Sequence, residues 1–260
     1  MYKMVVSDFY GSLINSEEAI SLSTMLEIDR IRKNKVLFTI TTNRSARIVI
    51  DYNRDFPFID YVVAFNGSYI YDLRKNKVLF NKTLCCNAVK KICKLFKDKD
   101  MCLYTLDNCN YTGKYKDEDF SEIIIDLDDF LEEERKNLYK IKVFFDNLKD
   151  CKEANKLLKD EKKIVTYINE EDNYYVLEVY SSLESKLSGV EKICKKNNIK
   201  LKEVLAICSS ISSIDLVKKV GNGCCVSNCV EKLKKYADFE SCSNEEKGVE
   251  QVLKKYLGDV

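Results

Sequence analysis

Two kinds of apolar pattern alternate along this chain, and that alternation is the strongest constraint on how it folds. The runs "YKMVVS" (2–7), "KVLFTI" (35–40) and "YVVAF" (61–65) are short and rich in β-branched residues. Between them, residues 18–33 set Ile20, Met25, Ile28 and Ile31 on one side of a helix, and "SARIVIDYN" (45–53) reads as a second helix. Short apolar runs of this kind suit strands covered on both faces, and strands alternating with helices point to βαβ units around a mostly parallel sheet. A hairpin, "SYIYDLRKNKVLFN" (68–81) with its turn near Lys75-Asn76, follows the third strand.

From about residue 83 to 181 the texture changes. "NAVKKICKLFK" (87–97) and "DCKEANKLLK" (150–159) are helical, while "MCLYTL" (101–106), "YKIKVFFD" (139–146), "KIVTYIN" (163–169) and "YYVLEVYS" (174–181) are strand-like. Two helices against about four strands describe a small α+β module. The acidic run between them, 117–135, reads as a solvated face. After 184 the first texture returns: a helix at 185–197, the strand "VLAI", a helix at 213–219, the strand "GCCV", and closing helices in "CVEKLKKYA" and "EKGVEQVLKKYL". The simplest architecture is one α/β core built from residues 1–82 and 182–260, with 83–181 inserted.

Charge narrows the function classes. The 260 residues carry 43 Lys and Arg against 42 Asp and Glu, a net charge of +1, so nothing in the balance suggests nucleic acid or a membrane surface. No apolar run approaches a bilayer's thickness, and "MYKMVVSDFYG" turns polar too early for a signal peptide; a soluble cytoplasmic protein is expected. The chain has 12 Cys, no C-x-x-C pair and no His, which argues against a zinc site and removes Ser-His and Cys-His catalysis. The cysteines read as small buried hydrophobes in a reducing compartment, with the tandem pairs Cys85-Cys86 and Cys224-Cys225 on strands. Chemistry is left to carboxylates, Lys, hydroxyls or a bound ion.

The first strand ends in a carboxylate, Asp8, followed by a Gly-containing turn, "DFYGS". "TTNR" after the second strand places Thr42, Asn43 and Arg44, and "FNGSYIYD" places Asn66 and Gly67 before the hairpin. "LEVYSSLESKLSGV" holds Glu178 and Lys186. These motifs, in this order over essentially the whole length, resemble the haloacid-dehalogenase (HAD) superfamily, and within it the Cof-type phosphatases of subclass IIB. The resemblance implies a Rossmann-like α/β core with an inserted α/β cap, and Mg²⁺-dependent hydrolysis of small phosphorylated metabolites.

Against the family pattern two positions matter. The first motif, normally D-x-D-G-T, has Tyr10 in place of its second Asp. The fourth motif reads "LAICSSISSIDLVKKVGNGCCVSNCV", and with Gly221, Gly223 and Asn228 in register, Ser209 and Ser213 stand where Asp is expected and Ser212 where Asn is expected. Asp215 falls two positions further on, roughly 200° around a helix from residue 213.

The resemblance implies that Asp8 is the nucleophile, that Thr42 and Lys186 hold phosphoryl oxygens, and that Asn43, Arg44, Asn66 and Gly67 belong to the substrate-binding loops. The ion would sit among Asp8, the carbonyl of Tyr10, and positions 209 and 213. Tyr10 lacks the acid/base carboxylate, a loss of about 10²–10⁴-fold in rate for a general acid–base. Asp8 is then the one matched side-chain carboxylate near a divalent ion that favours anionic oxygen. Two readings stay open: a weakly active phosphatase using Asp8, and a non-catalytic protein that binds a phosphorylated ligand or regulates through its surfaces. The sequence names no protein partner.

Overall fold

The computed structural model describes residues 1–55, 57–113, 122–133, 137–171 and 173–258. In chain order its elements begin with β1 (Met4–Asp8), α1 (Leu22–Lys33), β2 (Leu37–Thr41), α2 (Ala46–Asp55), β3 (Tyr61–Ala64), β4 (Tyr69–Asp72) and β5 (Lys77–Asn81). There follow α3 (Cys86–Leu95), β6 (Met101–Tyr104), β7 (Cys109–Thr112), β8 (Glu122–Ile124), α4 (Leu127–Glu133), β9 (Lys140–Phe145), α5 (Leu148–Leu157), β10 (Ile164–Glu171) and β11 (Tyr174–Ser181). The chain closes with α6 (Lys186–Asn197), β12 (Val204–Cys208), α7 (Ile214–Lys219), β13 (Asn222–Val226), α8 (Glu231–Lys234), β14 (Phe239–Ser241) and α9 (Gly248–Leu257). Two units result, Met1–Asn81 with Ser185–Val260, and Lys82–Glu184.

The first unit is the Rossmann-like core that the alternation predicts. Its sheet runs β14-β13-β12-β1-β2-β3-β4-β5, parallel from β14 to β3 and antiparallel through the β4–β5 hairpin. Every residue of β1 and β12 is buried, which is why β12 reads as an unbroken apolar run and β1 as one that turns polar only at Ser7 and Asp8, its carboxyl end. The chain winds outward from β1 through β2 and β3 on one side, and through β12, β13 and β14 on the other. The topology therefore reverses between β1 and β12, and the crevice at the carboxyl ends of such strands is where α/β sheets place their chemistry. Asp8 ends β1 there, and Ser209 follows β12.

The second unit has a sheet of order β10-β11-β9-β6-β7-β8. Leu103, Ile141, Val143, Leu177 and Val179 pack with Val89 and Ile92 of α3 and Cys151 and Ala154 of α5 into its core. The residues in between point to the other face, as a strand's period of two requires. There Lys140 Nζ pairs with Glu178 Oε1 at 2.6 Å, and the Tyr180 hydroxyl donates to Glu178 Oε2 at 2.9 Å. Burial pushes the Glu178 carboxyl up, but Lys140 and Lys142 outweigh it and hold the group below its ordinary range.

Several local expectations are corrected. Helix α1 begins at Leu22, not 18: Asn15 Oδ1 accepts from the N–H groups of Glu17 and Ala19, Glu18 takes a φ of 56°, and Ser21 caps the helix by accepting from Thr24 N. Ile20 is buried, but from this turn rather than from the helix. Cys85 and Cys86 lie at the N-cap and first residue of α3, not on a strand. The predicted closing helix 229–237 contracts to α8, with β14 after it. The second unit has more elements than its sequence texture suggests, because β7, "CNYT", and β8 are too short to carry a period. Of the acidic run, residues 117–121 and 134–135 lie outside the described residues; Asp126, Asp128, Asp129 and Glu132 are exposed and Phe130 is buried. None of the 12 Cys is in a disulfide, and nine are buried. Among the described residues, no helix is long and apolar enough to cross a membrane.

Candidate active site

Three strand ends and one helix start build the site. Asp8 is the last residue of β1 and faces Thr41, the last of β2, in register. The turn after Asp8 needs Gly11, whose φ is 72° and whose missing Cβ would stand 2.9 Å from Ser209 Oγ. Lys186 is the first residue of α6, whose start is fixed by a reciprocal cap: Ser185 Oγ accepts from Ser188 N at 3.1 Å, and Ser188 Oγ accepts from Ser185 N at 2.9 Å. Gly67 lets that start come close, since a Cβ there would stand 2.1 Å from the carbonyl oxygen of Ser185. The Lys186 side chain is only 2% exposed, so it is no surface cation.

Asp8 is itself 2% exposed, and six donors converge on its carboxylate. Oδ1 receives Lys186 Nζ at 2.6 Å, Thr41 Oγ1 at 2.7 Å and Ser213 Oγ at 3.1 Å. Oδ2 receives Ser213 Oγ at 2.9 Å, Ser209 N at 3.1 Å, and Ser210 through Oγ at 3.1 Å and N at 3.3 Å. Lys186 Nζ also donates to Ser210 Oγ at 2.8 Å and Ser213 Oγ at 3.0 Å, so each hydroxyl accepts a hydrogen bond from the ammonium and donates one to the carboxylate. Burial alone would push the Asp8 carboxyl up; the Lys186 charge, with hydrogen bonds from Lys186, Thr41 and Ser209, outweighs it and holds the group below its ordinary range. Cys208, at the end of β12, is pushed up by burial and by the Asp8 charge.

A cavity of about 100 Å³ opens on this cluster. Asp8, Tyr10, Thr42, Asn43, Arg44 and Lys186, all anticipated from the sequence, line it together with Thr41 and Ser210, which were not. Thr42 Oγ1 accepts from Arg44 N at 3.0 Å, Asn43 exchanges hydrogen bonds with Ser212 Oγ at 3.1 and 3.2 Å, and the Arg44 guanidinium lies 3.7 Å from the centre of the Tyr10 ring. Asn66 and Gly67 do not line the cavity. They buttress it: Asn66 N donates to the Thr42 carbonyl at 3.2 Å and Phe65 N to that of Arg44 at 3.1 Å. The Asn66 amide is buried without a partner among the described residues. Asp215 is exposed on α7. Thr41 could have been found from strand register, since it stands opposite Asp8. No sequence signal singles out Ser210 from its serine neighbours.

The donor chemistry tests the ion that the resemblance implies. Of the expected ligands, Asp8 is the one carboxylate, and both its oxygens already accept hydrogen bonds. The Tyr10 carbonyl accepts from Ser209 Oγ at 3.3 Å. Ser209 and Ser213 thus present protons where a cation needs lone pairs, and Mg²⁺ demands anionic oxygen in octahedral array. These residues do not fit a divalent cation, and among the described residues no cluster of three or more His, Cys, Asp or Glu could hold one.

Residues 5–253 match the family described as haloacid dehalogenase-like hydrolase. The chain belongs to that family. Among curated proteins it is similar to a putative phosphatase of Haemophilus influenzae, 24% identical over 260 residues that cover 97% of each chain. In fold it is similar to a haloacid dehalogenase-like hydrolase from Bacillus subtilis, with a TM-score of 0.87, 18% identity, and coverage of 98% of this chain and 100% of the other. The HAD subclass IIB sugar phosphatase BT4131 gives a TM-score of 0.80 at 18% identity, covering 99% and 100%.

Proposed function

We propose that this HAD-family chain descends from Cof-type phosphatases, has little or no phosphatase turnover, and keeps its site as a pocket for a small phosphorylated metabolite. In the family's reaction the first Asp attacks phosphorus, a second carboxylate protonates the leaving group and then activates water, and Mg²⁺ relieves the charge between nucleophile and phosphate. Here the observation that carries the reading is the pair of serines: Ser213 Oγ donates to both oxygens of Asp8 and Ser209 Oγ to the carbonyl of Tyr10. Tyr10 brings a phenol where the acid/base carboxylate would act; a phenol of pKa near 10 can donate a proton but is a poor base for water at neutral pH. The inserted segment, 83–181, is the cap that supplies substrate contacts, and the protein works in the cytoplasm without nucleic acid or membrane.

A retained nucleophile favours one competing reading, a slow phosphatase, because Asp8 stays ionised and beside Lys186. Hydrolysis of p-nitrophenyl phosphate, measured with Mg²⁺ and with excess chelator, separates the two. We expect rates at background in both. Mg²⁺-dependent turnover abolished by Asp8→Asn would establish the slow enzyme instead. The triple change Tyr10→Asp, Ser209→Asp and Ser213→Asp restores the carboxylates and should recover metal-dependent hydrolysis.

A further inference from the structure

A second cavity of the first unit, about 210 Å³, lies between the turn after Asp8, the start of α1 and the start of α9, and shares no lining residue with the cavity at Asp8. It has the liquid volume of roughly seven waters, room for a small organic molecule rather than a lone ion. Its wall carries two opposite charges, Glu245 and Lys247, which do not pair with each other. Glu245 Oε1 accepts from Ser16 N at 2.7 Å, while its Oε2 accepts nothing among the described residues. Lys247 Nζ makes no hydrogen bond or ion pair among the described residues, although its charge reaches the Glu250 carboxylate. Glu250 itself is taken by Lys254 Nζ and Ser23 Oγ, both at 2.6 Å. Helix α9 leaves donors beside Lys247. Its N-cap is Lys247, whose side chain cannot accept, so the N–H groups of Val249 and Glu250 have no partner among the described residues. Ser12 is in the same wall, 1% exposed, and its Oγ is buried without a partner among the described residues. Leu13, Ala19 and Val249 add an apolar patch.

We infer that this second cavity binds a small neutral α-amino acid. The carboxylate meets Lys247 and the open N–H groups of α9, where a helix N-terminus favours an anionic group. The ammonium meets Glu245, and a short side chain rests on Leu13, Ala19 and Val249. Glu245 and Lys247 are the two charged residues of the lining and sum to zero, as a zwitterion requires. A dianion would set its charge against Glu245, and a bare cation would set its own against Lys247. The two side chains stand two residues apart in one loop, so both ends of a single small molecule come within their reach. The site is separate from the Asp8 cavity, and it holds whether or not that cavity turns over a phosphate ester.

The test is calorimetric titration of the full chain with L-alanine, and with two analogues that each lack one of its charges, propionate and ethylamine, at pH 7 and constant ionic strength. Saturable binding of L-alanine is expected, with each analogue weaker by about tenfold or more, the loss of one charge-assisted hydrogen bond. Lys247→Gln and Glu245→Gln should each weaken L-alanine by about tenfold as well. Both positions are exposed, so both variants should keep the parental thermal unfolding, which separates a lost ligand contact from a lost fold. Absence of saturable L-alanine binding refutes the inference. So does propionate or ethylamine binding as tightly as L-alanine, which would mark a simple ion site. L-alanine affinity that survives either substitution in a variant with parental unfolding refutes it too, since both charges must then not be engaged.

Discussion

Replacing Lys186 by Met removes one charge of a buried pair and leaves the other in place. Asp8 and Lys186 are each 2% exposed, and Nζ makes three contacts at 2.6, 2.8 and 3.0 Å. Leaving a buried charge without its partner costs about 3–5 kcal/mol. Asp8 would retain Thr41, Ser213, Ser210 and the Ser209 amide, which favours the lower end of that range, so about 3 kcal/mol is expected at pH 7. The pH dependence follows from the depressed Asp8 pKa. The pair's contribution is fully present above the unfolded-state value near 3.9 and is lost as pH falls through the lower folded-state value. The gap between parent and Lys186→Met should therefore close in acid. Urea unfolding of Lys186→Met, Asp8→Asn and the double variant gives the coupling directly, and the double variant should regain more than half of the single-variant loss. A Lys186→Met cost below about 1 kcal/mol at pH 7, or a double variant no more stable than Lys186→Met, would refute the claim that the two charges are mutually compensated in a site closed to water.

Other outcomes follow from the same geometry. Gly11→Ala puts a Cβ at a φ of 72° against Ser209 Oγ, and should lower stability by about 1–2 kcal/mol in thermal unfolding, with no loss if the turn relaxes freely. In the second unit, Glu178→Gln should destabilise by about 3 kcal/mol at pH 7 in urea unfolding, and less as pH falls below about 4, because the Glu178 carboxyl is held below its ordinary range by Lys140 and Lys142; a pH-independent effect would count against the pair. The backbone N–H groups at the start of α3 and Lys163, whose Nζ stands 3.7 Å from its Sγ, hold the Cys85 thiol below its ordinary range, while burial pushes Cys93 and Cys224 up to about 12. Iodoacetamide at neutral pH should label Cys85 before either of those, as read by peptide mass spectrometry; earlier labelling of Cys93 or Cys224 in the folded protein would contradict this.

What could be read before any coordinates were known was whatever depends on local pattern. Strands buried on both faces must be apolar throughout, so β1, β2, β3 and β12 stand out, and their spacing with helices dictates a parallel sheet. Asp8, Thr42 and Lys186 come from motifs at strand ends and a helix start, where backbone geometry ties residue type to place. Short or capped elements lie beyond local pattern: the helical pattern starts four residues before α1 because an Asx turn carries the apolar Ile20, and β7, β8 and β14 are shorter than any usable period.

The amino-acid order alone determined which carboxylates this site lacks, since that is a matter of residue identity at matched positions. Only the folded chain decided what takes their place. Asp8 and the serines at 209, 210 and 213 are some 200 residues apart and meet because β1 and β12 are neighbours in the sheet. Whether a serine left by a lost acid faces solvent, solvates a nucleophile or stoppers a carbonyl depends on hydroxyl directions and distances. Those are set by packing between segments remote in sequence, which no local pattern encodes.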